Sequence, residues 1–323
     1  MRLIEYIHSE NRGYMLPFMG TNGLFITGDT YEEVCRSPQK QMDLAKVMDE
    51  GFGSDFIYAL DYGGIFCKSL GMKMLTPDFD FPSVLEHMSD DEIKGIQMIH
   101  PEKDDNMKAH LQSIRDISGS FEKPFFLSIP GPFTTAVNMV GATDMSRKII
   151  KDGAFVEHIL EYTTEMVRSY AVAAQNAGTR FISIAEPSSV ILSPKRFEKY
   201  VVPAVYSIYE ALHCWKGLHI CGDTTNLIGN MIEMGPECIS FDQIMDLQKI
   251  AKAVPSDIVI AGNIDPIEVL GKMSPEKVEK NVAEIVESMK GHDNFLVAFG
   301  CTCLNSTPAE NLKAAIAAAR RTY

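Results

Sequence analysis

The chain has 323 residues, enough for one large domain or two ordinary ones, with the 46% apolar and 23% charged balance of a soluble globular protein. Thirty basic against 43 acidic residues leave a net charge of −13, which argues against a nucleic-acid or membrane partner and weighs against a site built to grip a highly anionic substrate. No apolar run is long enough to span a bilayer and no secretory signal is evident; the seven cysteines suit reduced thiols, so a cytoplasmic protein is expected.

In chain order, short apolar runs alternate with helical periodicity. The candidate strands are 14–20, 55–61, 124–131, 180–187, 217–223, 238–242, 257–265 and 294–301. Near-continuous apolar runs of this length suit strands covered on both faces, as in a parallel sheet. Between them, Val156, Ile159, Leu160, Thr163, Met166, Val167, Tyr170, Ala171 and Ala174 keep helical spacing, and Gly178 is a natural stop. Helix starts are expected at Thr307-Pro308, with Glu310 closing a capping box, and at Asp265-Pro266 with Glu268. Weaker versions stand at Ser193-Pro194 and Ser274-Pro275. Eight strands alternating with helices predict a single-domain (β/α)8 TIM barrel, with an irregular N-terminal part and a helical insertion around 66–123. A doubly wound open sheet is the alternative, but no G-x-G-x-x-G follows the first strand.

In such a barrel the chemistry gathers where the strands end. There the chain places Asp61 and Tyr62, then Glu186, His219 with Cys221, Asp242, Asn263 with Asp265, and Cys301. Residues two apart on a strand share a face, so His219 and Cys221 can present an imidazole and a thiolate together. Zinc takes such ligands, and three of them with an open position make a catalytic site. A third ligand is open to Cys301 or Cys303, and a buried His–Cys pair in a core strand is the metal-free alternative. His213 and Cys214 are adjacent on a helix end and read as structural.

The segments "LHICGDTTNLIGNMIEMGPECISFD", "IAGNIDP", "FGCTCLNSTPAENLKAAIAAAR", "GPFTTAVNMVG" and "IAEPSSVILSPKRFEKYVVP" resemble the uroporphyrinogen decarboxylase superfamily. Within it they are most similar to the zinc-dependent methylcobamide:coenzyme M methyltransferase branch. The resemblance implies a (β/α)8 barrel, and Zn2+ held by His219, Cys221 and Cys301; the family's cysteine lies six positions before the Thr of "TP", here Thr307. It implies methyl transfer from a methyl-corrinoid (methylcobamide) to a thiol such as coenzyme M. Glu186 is then a candidate fourth ligand or proton acceptor, or else a loop carboxylate paired with Lys195 or Arg196. Asp242 would act beside it, and Tyr62, Asn138, Met139 and Asn263 would line or orient the substrate; Asp242 and Asn263 could instead simply cap their loops.

The chain lacks a D-x-H-x-x-G corrinoid signature, since "GLHICG" has Gly217 where the Asp belongs. A corrinoid protein partner or free methylcobalamin is therefore expected. Transfer in the opposite sense, from a methoxylated or methylated amine substrate onto a corrinoid protein, is the alternative. Decarboxylation fits poorly: the first thirty-five residues hold only Arg2 and Arg12, with no Arg-rich segment to grip substrate carboxylates.

Overall fold

A computed structural model describes residues 1–321. Strand β1 (Met15–Leu16) lies beside β9 (Phe295–Phe299). The sheet continues in parallel through β8 (Val259–Ile264), β7 (Cys238–Phe241), β6 (Trp215–Ile220) and β5 (Phe181–Ala185) to β4 (Phe126–Pro130). The hairpin β2 (Met74–Leu75) with β3 (Ser83–Val84) stands apart. The eighth position is taken by the segment around Ile57, whose N–H donates to Pro124 O at 2.9 Å and whose carbonyl accepts from Phe126 N at 3.0 Å. Seven of the eight expected strands are present, the run 55–61 contributes only the bridge at Ile57, and the fold is a (β/α)8 barrel. Strands β6, β7 and β8 are buried almost throughout, because helices cover their outer faces and side chains fill the inside.

Between β1 and the Ile57 segment a side chain supplies the bond that a ladder would. Asp55 Oδ2 accepts from the Met15 amide at 2.9 Å, and Oδ1 meets Arg12 at 2.7 Å and Arg320 at 3.2 Å. The extended runs at 14–20 and 55–61 were expected to be full strands. They are shorter because Pro17 has no amide to donate and Gly20 turns with φ 57°.

The helix Gly153–Asn176 buries all nine residues that the 3.6-residue spacing selects. It ends as the glycine requires: Gly178 takes φ 116° and the following Thr179 N–H returns to Ala174 O. Helices also start at Pro194 and Pro275. Two expected starts differ. The last helix begins at Ala309 with Pro308 as its cap, leaving the Thr307 hydroxyl buried without a partner. Asp265 does accept from the Ile267 and Glu268 amides, both at 2.8 Å, but only turns follow. Gly271 packs so closely on that turn that a Cβ would sit 2.7 Å from Ile267 O, so a larger residue would clash there.

Residues 66–123 carry the end of the helix Ile65–Ser69, the β2–β3 hairpin, the helix Asp90–Lys94 and the long helix Asp105–Ser120. The hairpin leans over one side of the mouth. The ring of Phe81 lies against Gly20 and Gly63, and the Met88 amide donates to Met139 O at 2.8 Å. No helix among the described residues is long and apolar enough to cross a membrane.

Candidate metal centre and active site

His219 is the fifth residue of β6, and Cys221 follows the strand's last residue. Their Nε2 and Sγ atoms are 3.2 Å apart. Cys301 follows Gly300 just beyond β9 and brings its sulfur to 3.4 Å from that of Cys221. The three donor atoms lie within 4.8 Å of one another, and among the described residues they form the one group of three or more such donors. A tetrahedral zinc with Zn–S near 2.3 Å and Zn–N near 2.0 Å has ligand edges of about 3.5–3.8 Å, so this donor set fits the ion with little movement. His219 is buried while both cysteines are half-exposed, so the cluster opens toward the mouth.

The second imidazole nitrogen is fixed as a metal-binding histidine needs. Nδ1 is 3.0 Å from the Ser240 hydroxyl, on the β7 residue paired in register with His219. The two sulfurs share one proton. Cys301 is held below the ordinary thiol range, first by the hydrogen bond from Cys221 and then by His219, while the same sharing pushes Cys221 up. Cys303 stays outside the cluster. It is buried in the barrel, its amide donates to Phe18 O at 3.0 Å, and burial pushes its thiol up.

Asp242, at the end of β7, shapes the loop that carries Cys221. Its Oδ2 accepts from the Gly222 amide at 2.7 Å and its Oδ1 from Ile244 at 3.1 Å. Gly222 takes φ 89°, which lets the chain turn directly after the cysteine. Asn263 is buried on β8 and donates to Asp242 O at 2.9 Å and Met245 O at 2.8 Å, so its amide pins the loop after β7 that carries Asp242.

Glu186 faces elsewhere. Its carboxylate accepts from the amides of Phe133 at 2.8 Å and Thr134 at 2.7 Å, and from the Thr134 hydroxyl at 2.7 Å. It thus caps the helix Pro132–Val140 rather than pairing with Lys195 or Arg196. Gly131 allows this approach, since a Cβ there would lie 2.3 Å from Glu186 Oε1. Burial pushes the carboxyl up to about 7 against the three donors.

Tyr62 lies outside the barrel wall, edge-on to His110 at 5.7 Å and Tyr31 at 6.3 Å. Asn138 and Met139 sit beneath the return of the β2–β3 hairpin. Their carbonyls accept from His87 Nδ1 at 3.0 Å and Met88 N at 2.8 Å, and Met139 is fully buried. Two further residues face the barrel interior. Tyr58 stacks on Phe126 and donates to Asp61 Oδ2 at 2.8 Å, and burial raises the Asp61 carboxyl to about 7. The alternation in "FIYALD" already placed Tyr58 two positions from Leu60 on one face, and "CISF" marked Ser240 as the polar residue of an apolar strand. A cleft of about 740 Å³ lies outside the barrel between the helices Gly153–Asn176 and Val202–Glu210 and shares no residue with the His219 cluster.

The uroporphyrinogen decarboxylase (URO-D) family model matches residues 19–322. The chain belongs to that family. Among relatives of this URO-D chain, the methylated-thiol--coenzyme M methyltransferase of Methanosarcina mazei is 27% identical over 201 residues, 62% of this chain and 53% of that protein. The chain thus aligns with about half the length of that relative. The methylcobamide:CoM methyltransferase MtbA of the same organism is 27% identical over 251 residues, 74% of this chain and 71% of that protein. A solved methyltransferase from Methanosarcina mazei superposes with a TM-score of 0.89 at 22% identity, over 98% of this chain and 97% of that one, so the two share a fold.

Proposed function

We propose that this URO-D family chain is a zinc-dependent methyltransferase that moves a methyl group from a methyl-corrinoid to a thiol. One observation carries the reading: an imidazole and two thiols converge at the carboxyl ends of β6 and β9, on the open side of the barrel. The relatives named for methylcobamide and thiol substrates support it.

His219, Cys221 and Cys301 would hold the ion. When bound, zinc would supply the positive charge that makes an incoming thiol a thiolate at neutral pH. The electron pair on sulfur forms the new S–CH3 bond, the cobalt–carbon pair stays with the corrinoid as cobalt(I), and the thiol proton leaves to solvent. The chain's own residues act by holding geometry. Ser240 fixes the His219 ring, Asp242 holds the turn after Cys221, Asn263 holds the loop that carries Asp242, and Glu186 anchors the helix Pro132–Val140 to the end of β5. With no corrinoid-binding signature in the chain, the methylcobamide arrives on a partner corrinoid protein or free in solution.

The test mixes zinc-loaded protein with methylcobalamin and a panel of thiols while the corrinoid spectrum is followed. Thiol-dependent loss of the methylcobalamin band supports the reading. No loss with any thiol, together with methylation of reduced corrinoid by methoxylated or methylated amine substrates, overturns it in favour of transfer in the opposite sense.

A further inference from the structure

The loops that follow the eight strands ring the site, and their charge is one-sided. Residues 17–23, 61–64, 131–141, 186–192, 221–227, 242–246, 265–271 and 300–307 contain Asp61, Glu186, Asp223, Asp242, Asp246, Asp265 and Glu268 but no Lys or Arg. The hairpin over the mouth adds Asp78, Asp80 and Glu86, and its Lys73 is already paired with Glu86. The next cations along the chain after the loop 186–192, Lys195 and Arg196, stand exposed on the first turn of the following helix.

Backbone amides are the other means of holding an anion. At this mouth the chain's own carboxylates have taken several of them. Glu186 occupies the amides of Phe133 and Thr134, and Asp242 those of Gly222 and Ile244. Asp223 occupies the amide of Thr225, and Asp265 those of Ile267 and Glu268. These loops offer no Lys or Arg side chain to a negatively charged head group, and their carboxylates would repel one. Asp61, half-buried with one oxygen on Tyr58, is placed to accept from a donor or an ammonium.

We propose that the thiol accepted at this site carries no anionic group, and is a neutral thiol or an aminothiol rather than a sulfonate such as coenzyme M. The inference rests on the thiol-methylation reading above and names the substrate class of that site. It also sets this chain apart from the relatives whose names carry coenzyme M.

Three thiols on the same two-carbon frame test it: 2-mercaptoethanol, cysteamine and 2-mercaptoethanesulfonate differ only in a neutral, cationic or anionic head. Their binding to zinc-loaded protein is measured by calorimetry with the proton release on binding, each corrected for its own thiol ionisation. The sulfonate is expected to bind at least about tenfold more weakly than the neutral thiol, with the gap narrowing as salt screens the mouth. Cysteamine is expected to bind at least as tightly as the neutral thiol. Sulfonate binding equal to or tighter than the neutral thiol overturns the inference and leaves the methyltransferase reading standing. Failure of all three to bind or release a proton overturns both.

Discussion

Replacing Glu186 by Gln separates an anchoring role from contact with the reacting groups. The carboxylate accepts three hydrogen bonds in a fully buried setting. A carboxamide can offer its one oxygen to the Thr134 amide and hydroxyl, which turns its NH2 toward the Phe133 amide. One buried donor is then unpaired, at a cost of about 1–3 kcal/mol. With an unfolding entropy of ~2 cal/mol/K per residue over the 321 described residues, 2 kcal/mol corresponds to a fall in Tm of about 3 °C. Glu186→Ala strips all three acceptors and should cost about 4 kcal/mol, or ~6 °C. Thermal melts of both variants check these figures, and methyl transfer assayed well below the melt should stay within about tenfold of the parent for Gln. A Gln variant that melts like the parent yet loses more than about a hundredfold in rate would refute the anchoring role and put the carboxylate on the substrate.

Four other outcomes are expected. The Glu186 carboxyl is raised by burial from 4.5 to about 7, so the acid form favours the fold and stability should fall as pH rises between those values, by on the order of 3 kcal/mol; Glu186→Gln should flatten the slope of denaturant midpoints against pH by that share, leaving the share of Asp61, which burial also raises to about 7. Cys301→Ala should weaken zinc binding by about a hundredfold or more against a chromophoric chelator, whereas Cys303→Ala should keep the zinc and cost about 1–2 kcal/mol of stability. The opposite pattern would move the third ligand to Cys303. Ser240→Ala frees the His219 ring and should weaken zinc binding about 10–100-fold with little change in the melt. Asp55→Ala leaves the buried Met15 amide and two guanidinium groups without their partner, and should lower stability by about 3–5 kcal/mol in urea titrations while zinc stays bound.

Most of the barrel was legible because its strands are buried on both faces and so read as unbroken apolar runs, and because proline, glycine and capping residues punctuate the helices between them. What local pattern could not show is where partners lie far along the chain. Asp265 has the signature of a helix cap and does cap a turn, but the next helix starts only at Pro275. Glu186 ends a strand as a catalytic carboxylate would, yet its partners are 52 and 53 residues earlier and outside any local signal. Tyr62 sits beside Asp61 at the end of one run, but its ring packs against Tyr31 and His110, partners that lie far along the chain and outside any local signal. His219 and Cys221 were readable together because the same alternation puts residues two apart on one face. The third donor needed the register of the whole sheet to be brought 80 residues back along the chain.

The seam between β1 and the Ile57 segment has a consequence for how the molecule is made. Its central carboxylate, Asp55, is paired by Arg12 near one end of the chain and by Arg320 near the other, and the Gly13 amide donates to Arg321 O at 3.3 Å. Every strand of the barrel precedes Arg320 in the chain, so the second arm of this clasp can close only after the whole wall has been made.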